Sequence, residues 1–320
     1  MALEKHIARS FAAVIAATVA GPAFAADLAV KAPQPVAAFT PSDIHGFFDV
    51  SFGGDYVTPR GVHVTGTGLT TQIATGLSAD VYKNKNGLIN MISLYGGVWN
   101  DLWSEQNSPS VGSWKEFDWF VGGKVQFAQS WLADVQYVEF LFPAGGGAST
   151  QRNLQTTLTY DDTSWGLPVQ LKPYIRGWYQ FSGPSNVFVG KNGGSGYVEF
   201  GATPTLDLTR RGLGVIFTAP TWVSAGPKDY WNRGVAGCGT IATPCAASNA
   251  GVFSTGLTAT VPITWIPSNF GNWSVRGGFQ YYHLMNDSLL LAQTIAGTAS
   301  SYATAKRDIT IGFAGLNFKF

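Results

Sequence analysis

Residues Asp308 to Phe320 read DITIGFAGLNFKF, and their alternation decides the fold. Gly312, Ala314, Leu316, Phe318 and Phe320 share one side of an extended strand, while Ile311, Phe313, Gly315, Asn317 and Lys319 share the other. The first side carries no polar side chain, and such a face belongs against a protein core or against lipid. In hydrocarbon an unpaired backbone N–H or C=O costs several kcal/mol, so a lipid-facing strand must be paired on both edges and implies a closed barrel. The competing reading is the edge strand of a soluble domain.

The other end of the chain favours the barrel. Lys5 and Arg9 precede an apolar stretch from Phe11 to Ala20, followed by Gly21-Pro22 and Ala23-Phe24-Ala25. This is the pattern of a secretory signal peptide, with cleavage expected after Ala25, and the apolar run falls short of the roughly 20 residues of a spanning helix. Residues 26–42 are expected to form a mobile, Pro- and Ala-rich periplasmic lead-in, and residues 43–320 the barrel.

Composition fits export. Charged residues make up 12% of the 320 residues, aromatics 14% with 11 Trp, and net charge is +1. An average soluble chain is about 25% charged. The mean hydropathy lies near zero, which excludes a bundle of membrane helices and suits strands with one polar and one apolar side. Near-neutral charge argues against a nucleic-acid partner. The 39 Gly suit turns, bulges and close strand packing.

Period-2 segments bounded by turn residues predict about twelve strands, at roughly 45–57, 69–82, 87–101, 114–128, 131–142, 153–161, 169–181, 196–205, 210–222, 251–265, 272–284 and 307–320. The connections alternate in length. Short ones fall at 83–86, 129–130, 163–168, 206–209 and 267–271, and longer Gly-, Ser- and Thr-rich ones at 58–68, 102–113, 143–152, 182–195, 224–250 and 285–306. Such parity belongs to an all-β, closed, antiparallel up-and-down transmembrane barrel with short periplasmic turns and long outer loops.

Within strands the alternation sorts lumen from lipid. Leu171, Pro173, Ile175, Tyr179 and Phe181 oppose Gln170, Lys172, Tyr174, Arg176, Trp178 and Gln180; Phe117, Trp119, Val121 and Val125 oppose Glu116, Asp118, Lys124 and Gln126. A Lys or Arg on the lipid face costs about 2–4 kcal/mol at mid-membrane, so the polar faces must look inward. Aromatic girdles are expected at both rims: Trp131, Trp265 and Trp273 at the periplasmic one, and Trp99, Phe142, Tyr179, Trp222 and Tyr281 at the outer one.

Lumen charges are the main candidates for function. The acids Asp49, Asp55, Asp80, Glu116, Asp118, Asp134 and Glu199 concentrate on early strands, and the bases Lys124, Lys172, Arg176, Arg276 and Lys319 on later ones. Walls of opposite sign would set up a transverse field that orients polar solutes in a pore; the alternative is that the charges pair and plug it. Cys238 and Cys245, the only cysteines, are expected to form a disulfide in the longest outer loop; a metal reading lacks further ligands nearby. Of four histidines, only His283 suits a hydrolase site, and no nucleophile elbow, phosphate loop or metal cluster accompanies it. No catalytic residue, cofactor or metal is therefore expected.

Five stretches carry three family resemblances. A last strand ending on Phe320, with Phe318 and Leu316 on the same side, resembles the C-terminal signature of Gram-negative outer-membrane barrels, which implies recognition by the outer-membrane assembly machinery. Residues 26–33, ADLAVKAP, resemble the mature start of alphaproteobacterial outer-membrane proteins. Asp55-Tyr56 with Arg60-Gly61, Gly97-Val98-Trp99-Asn100, and Glu116-x-Asp118-Trp119-Phe120-x-Gly122 resemble the TorF-type porins, although Pro59 and the cysteine loop depart from that pattern. The expectation is an outer-membrane channel, surrounded by lipid and lipopolysaccharide, for passive diffusion of a small polar solute. The rival is a closed barrel whose outer loops bind a partner, with an outer-membrane hydrolase behind it. Oligomeric state is not fixed by the sequence.

Overall fold

The computed structural model describes residues 43–105, 113–144, 149–183, 191–231 and 248–320. The expected signal peptide, the 26–42 segment, Cys238 and Cys245 lie outside the described residues. The described chain is a closed antiparallel barrel of twelve strands. In order they are β1 (Ile44–Gly53), β2 (Thr70–Lys83), β3 (Ile89–Trp103), β4 (Trp114–Phe127), β5 (Trp131–Leu141) and β6 (Gln151–Tyr160). There follow β7 (Tyr174–Ser182), β8 (Ser195–Ala202 and Thr205–Asp207), β9 (Ile216–Thr218 and Thr221–Ala225), β10 (Ala250–Pro262), β11 (Asn272–Leu284) and β12 (Asp308–Lys319).

Each strand pairs with its neighbour in sequence, and β1 pairs with β12 through Phe48↔Phe318, Val50↔Leu316 and Phe52↔Ala314. The circle closes with Phe320, whose N–H and C=O exchange 3.1 Å bonds with Gly46. Proline explains why β8 and β9 are split. Pro204 and Pro220 lack an N–H, so each interrupts the ladder while its carbonyl still accepts, from Ala219 at 2.8 Å and Gly256 at 3.1 Å. The ninth strand consequently begins at Ile216, not at 210, because Thr209–Arg211 forms a 3₁₀ turn ended by Gly212 at φ 79°. The seventh begins at Tyr174 rather than 169: Asp162 accepts from the N–H groups of Leu171 (2.7 Å) and Lys172 (3.2 Å), and Lys172 sits at φ 47°.

Between the rims, outward positions are dominated by apolar side chains. Leu77, Leu94, Val121, Val135, Ile175, Phe200, Leu257 and Phe279 are all exposed on the outer surface. A continuous belt of this kind is stable against hydrocarbon and not against water. At the turn end, Trp131 packs edge-on to Tyr160 and Trp273 against Phe318, with ring centroids 5.0 and 4.6 Å apart.

The expected outer girdle is partly wrong. Tyr179 and Tyr281 follow the outward period, but Trp99, Phe142 and Trp222 turn inward. Trp222 meets Tyr282 edge-on at 6.1 Å, and Trp99 shares the inward side of β3 with Tyr95 and Asp101.

The first strand also ends early, at Gly53 instead of 57. Beyond it the chain dives into the barrel as a small hairpin of two strands, Tyr56–Val57 and His63–Thr65, where Val57, Val62, His63 and Thr65 are buried. The tip turns at Thr58-Pro59-Arg60-Gly61: the Gly61 N–H donates to the Thr58 carbonyl at 2.8 Å, and Gly61 takes φ 87°, the left-handed region that a turn of this kind reserves for glycine.

Two helices, α1 (Lys228–Trp231) and α2 (Asp287–Ala296), fold into the same end. Tyr230 and Trp231 of α1 and Leu289, Leu290 and Ala292 of α2 join Val57 and Val62 in one buried cluster with Phe140, Trp178, Tyr197, Val252 and Leu284 from the barrel wall. The apolar core of this molecule therefore lies inside the barrel, at its loop end.

Gly278 on β11 faces the β10 backbone so closely that an added Cβ would collide with the Leu257 carbonyl oxygen, which cannot step aside. Gly278→Val should destabilise the barrel by about 1–3 kcal/mol, read from the urea midpoint of the folded band in cold SDS electrophoresis. Gly54→Ala, where a Cβ meets nothing, should leave the midpoint unchanged.

Candidate functional site

The inserted hairpin spans the lumen. It leaves β1, and its tip residue Arg60 reaches the far wall, where Nη1 donates to Gln151 Oε1 of β6 at 3.1 Å. The guanidinium lies 4.6 Å from the ring centre of Phe140 on β5 and 5.5 Å from that of Trp178 on β7. On the way Tyr56 packs against Trp99 of β3 at 5.8 Å. The Thr298 hydroxyl, beyond α2, donates to the His63 carbonyl at 3.0 Å and pins the returning strand.

Two cavities flank this crossing. One, of about 340 Å³, is lined by Ser51, Gln72, Trp222, Arg276, Gln280 and Phe313 among others. The second, of about 380 Å³, is lined by Trp99, Glu116, Asp118, Phe140, Arg176 and Trp178 among others. Tyr56, Val57, Gln72 and Tyr282 border both, so the hairpin forms the partition between them. Polar atoms without a hydrogen-bond partner among the described residues lie in the walls: Trp222 Nε1 and Arg276 Nε in the first, Asp118 Oδ1 and Trp178 Nε1 in the second. Buried polar atoms of this sort call for water or a polar solute.

The expected walls of opposite sign do not form; the charges pair locally. Arg176 Nη1 donates to Glu199 Oε1 at 2.8 Å, directly across the β7–β8 ladder, and the Tyr174 hydroxyl donates to the same oxygen at 2.6 Å. Arg276 Nη2 donates to Asp49 Oδ1 at 2.5 Å, and Asn317 Nδ2 to Asp49 Oδ2 at 3.1 Å. Lys124 sits 3.8 Å from Asp134, its partner across β4–β5. Asp80 is held by Lys83, His45 and the Ser93 hydroxyl. Register between neighbouring strands makes the Arg176–Glu199 and Lys124–Asp134 pairs, and ring closure makes one more by setting late strands beside early ones, so that Arg276 of β11 meets Asp49 of β1 across β12. Lys172 and Lys319 lie at the turn end, away from both cavities.

Glu116 and Asp118 differ from the rest. Both are buried on the inward face of β4, and neither has an ion-pair partner among the described residues. Asp101, which the sequence reading overlooked, stands across the ladder from Glu116 and accepts from Trp103 Nε1 at 2.6 Å. In the sequence Arg60 stands out only as part of a porin-like motif. Its place on the far wall follows from a loop folding inward, for which the buried pattern Val57, Val62 with Pro59 and Gly61 between was the available signal.

Among the described residues no three His, Cys, Asp or Glu side chains gather as a metal centre would require. His283 stands at the loop end of β11 on the outward period, its Nδ1 2.7 Å from Asp308 Oδ1. No serine hydroxyl bonds it among the described residues, and it lines neither cavity.

No protein-family model matches the chain, and no curated protein does. Solved barrels resemble it loosely. The NanC porin is 9% identical over 85% of this chain and 100% of its own, with a TM-score of 0.44. An outer membrane channel from Pseudomonas putida F1 is 8% identical over 90% and 99%, with a TM-score of 0.43. LpxR from Salmonella typhimurium is 12% identical over 86% and 99%, with a TM-score of 0.41. Likeness at this level bears on neither solute nor mechanism.

The Glu199 side chain is 1% exposed, so removing its partner strands a buried carboxylate. Arg176→Ala should cost about 3 kcal/mol in urea unfolding, and Arg176→Lys, which keeps the charge, distinctly less.

Proposed function

We propose that this protein is a channel of the Gram-negative outer membrane, exported with residues 1–25 removed, through which small polar solutes diffuse along the two cavities beside the inserted hairpin. The observation that carries the reading is the partitioned lumen itself: polar-lined space on both flanks of Tyr56 and Val57, with buried polar atoms that have no partner among the described residues. A barrel evolved only as a scaffold would gain by filling that space with paired or apolar side chains. The apolar belt supports residence in lipid. Phe320, Phe318 and Leu316 are proposed as the signal read by the assembly machinery, with lipid and lipopolysaccharide as the surroundings.

The resemblance to TorF-type porins gains a spatial meaning under this reading. Tyr56, Arg60, Trp99, Glu116 and Asp118, drawn from three separate motifs, line a single cavity. The cluster of Trp231, Leu284 and Leu289 at the loop end favours the second reading, a closed barrel whose outer loops bind a partner.

Single-channel recording in planar bilayers separates the two. Discrete ohmic steps are expected, and silence across many insertions of correctly folded protein would support the closed barrel. Arg60→Ala, which releases the hairpin tip from Gln151, Phe140 and Trp178, should raise unit conductance, because the partition loses its anchor on the far wall.

A further inference from the structure

Two carboxylates and several aromatic faces meet in the larger cavity, where Arg60 is near enough to act on both Glu116 and Asp118 but forms an ion pair with neither among the described residues. Glu116 and Asp118 point into it from β4, with Asp101 one strand away. Of the cavity's own cations, Arg176 is bound to Glu199, and Arg60, which donates to Gln151 and lies over two rings, is left as a single charge facing two carboxylates. Among the described residues Asp118 Oδ1 has no hydrogen-bond partner in a side chain that is 8% exposed, and neither has Trp178 Nε1, also at 8%.

Isolated buried carboxylates are costly, and the cost falls if a positive group shares the space. The opposite wall is suited to supply the other half of such a site. Phe140, Trp178 and Tyr197 stack in sequence, with interplanar angles of 25° and 27° and centroids 5.8 and 6.3 Å apart. Aromatic faces attract a weakly hydrated cation such as guanidinium, and Arg60 already demonstrates the contact by lying over the first two rings.

We infer that this cavity is a binding site for a solute carrying a compact organic cation, a guanidinium or primary ammonium, with Glu116 and Asp118 as its counter-charges and the aromatic lining, Trp99 among it, as its wall. The volume of about 380 Å³ sits at the lower end of the ~300–1,000 Å³ range of small-molecule sites, which suits a solute of amino-acid size. A metal ion is the poorer occupant, since the described residues offer no three-ligand cluster and the wall is aromatic. The inference rests on the channel reading in one respect: the solute must reach the cavity through the lumen.

Isothermal titration of the full chain in detergent micelles with L-arginine, L-citrulline and L-glutamate tests it. Citrulline has nearly the shape of arginine without the charge. Arginine should bind at least about tenfold more tightly than either, a gap of roughly 1.4 kcal/mol or more. The E116Q/D118N double variant, checked for folding by its cold SDS mobility, should lose that preference. Equal binding of arginine and citrulline to the unmodified protein overturns the inference without reference to any variant, and so does an unchanged preference in folded E116Q/D118N. Bilayer recording of the same preparations keeps the two ideas apart: arginine binding with no conductance would sink the channel and spare the site, whereas conductance without cation preference would do the reverse.

Discussion

The main-chain pairing of β1 with β12 is the constraint on which the rest depends. Strands bathed in hydrocarbon have no solvent to satisfy their N–H and C=O groups, so the sheet must return to its own first edge. Phe48↔Phe318 and Val50↔Leu316 make that return, and the Gly46–Phe320 exchange completes it. Once the ring is closed, every side chain is committed to lipid or lumen, and a shift of one residue in any ladder would put Asp49 or Arg176 against acyl chains.

Closure solves the problem of the wall and leaves the problem of the interior. A soluble protein buries apolar residues between layers, but here the outside is already apolar, so the core is placed within the lumen. The inserted hairpin, α1 and α2 fill the loop end with Val57, Val62, Trp231 and Leu289. Farther down the barrel the filling is polar and incomplete. Charges there are neutralised across single ladders, as in Arg176 with Glu199, because the low-dielectric interior makes an unpaired charge expensive and the register brings partners within reach. Glu116 and Asp118 are the exception, and the exception coincides with the larger cavity.

Much of the architecture was legible in the sequence. Period-two alternation is a local property, so the strand containing Tyr174, Arg176 and Trp178 reveals its two faces without knowledge of its neighbours. Turn chemistry is local too, although Asp162, by capping two backbone N–H groups, moved the start of β7 in a way alternation does not reveal. The segment after Gly53 was misread for a different reason. Asp55 and Tyr56 continue the polar–apolar alternation of Asp49, Val50, Ser51 and Phe52, which extends the expected strand to 57, and only the room available inside a closed barrel lets the chain leave the wall after Gly53.

The sequence by itself determined that the chain forms strands with one apolar and one polar side, that the strands number about twelve, and that the apolar sides look outward; each follows from short-range periodicity and the cost of a bare backbone in lipid. Only the tertiary structure decided which charges meet, that Trp99 and Trp222 face inward, and that Arg60 spans the lumen to Phe140 and Trp178. Those outcomes depend on ring closure and on register between strands far apart in the chain, and neither quantity is written in any local stretch of residues.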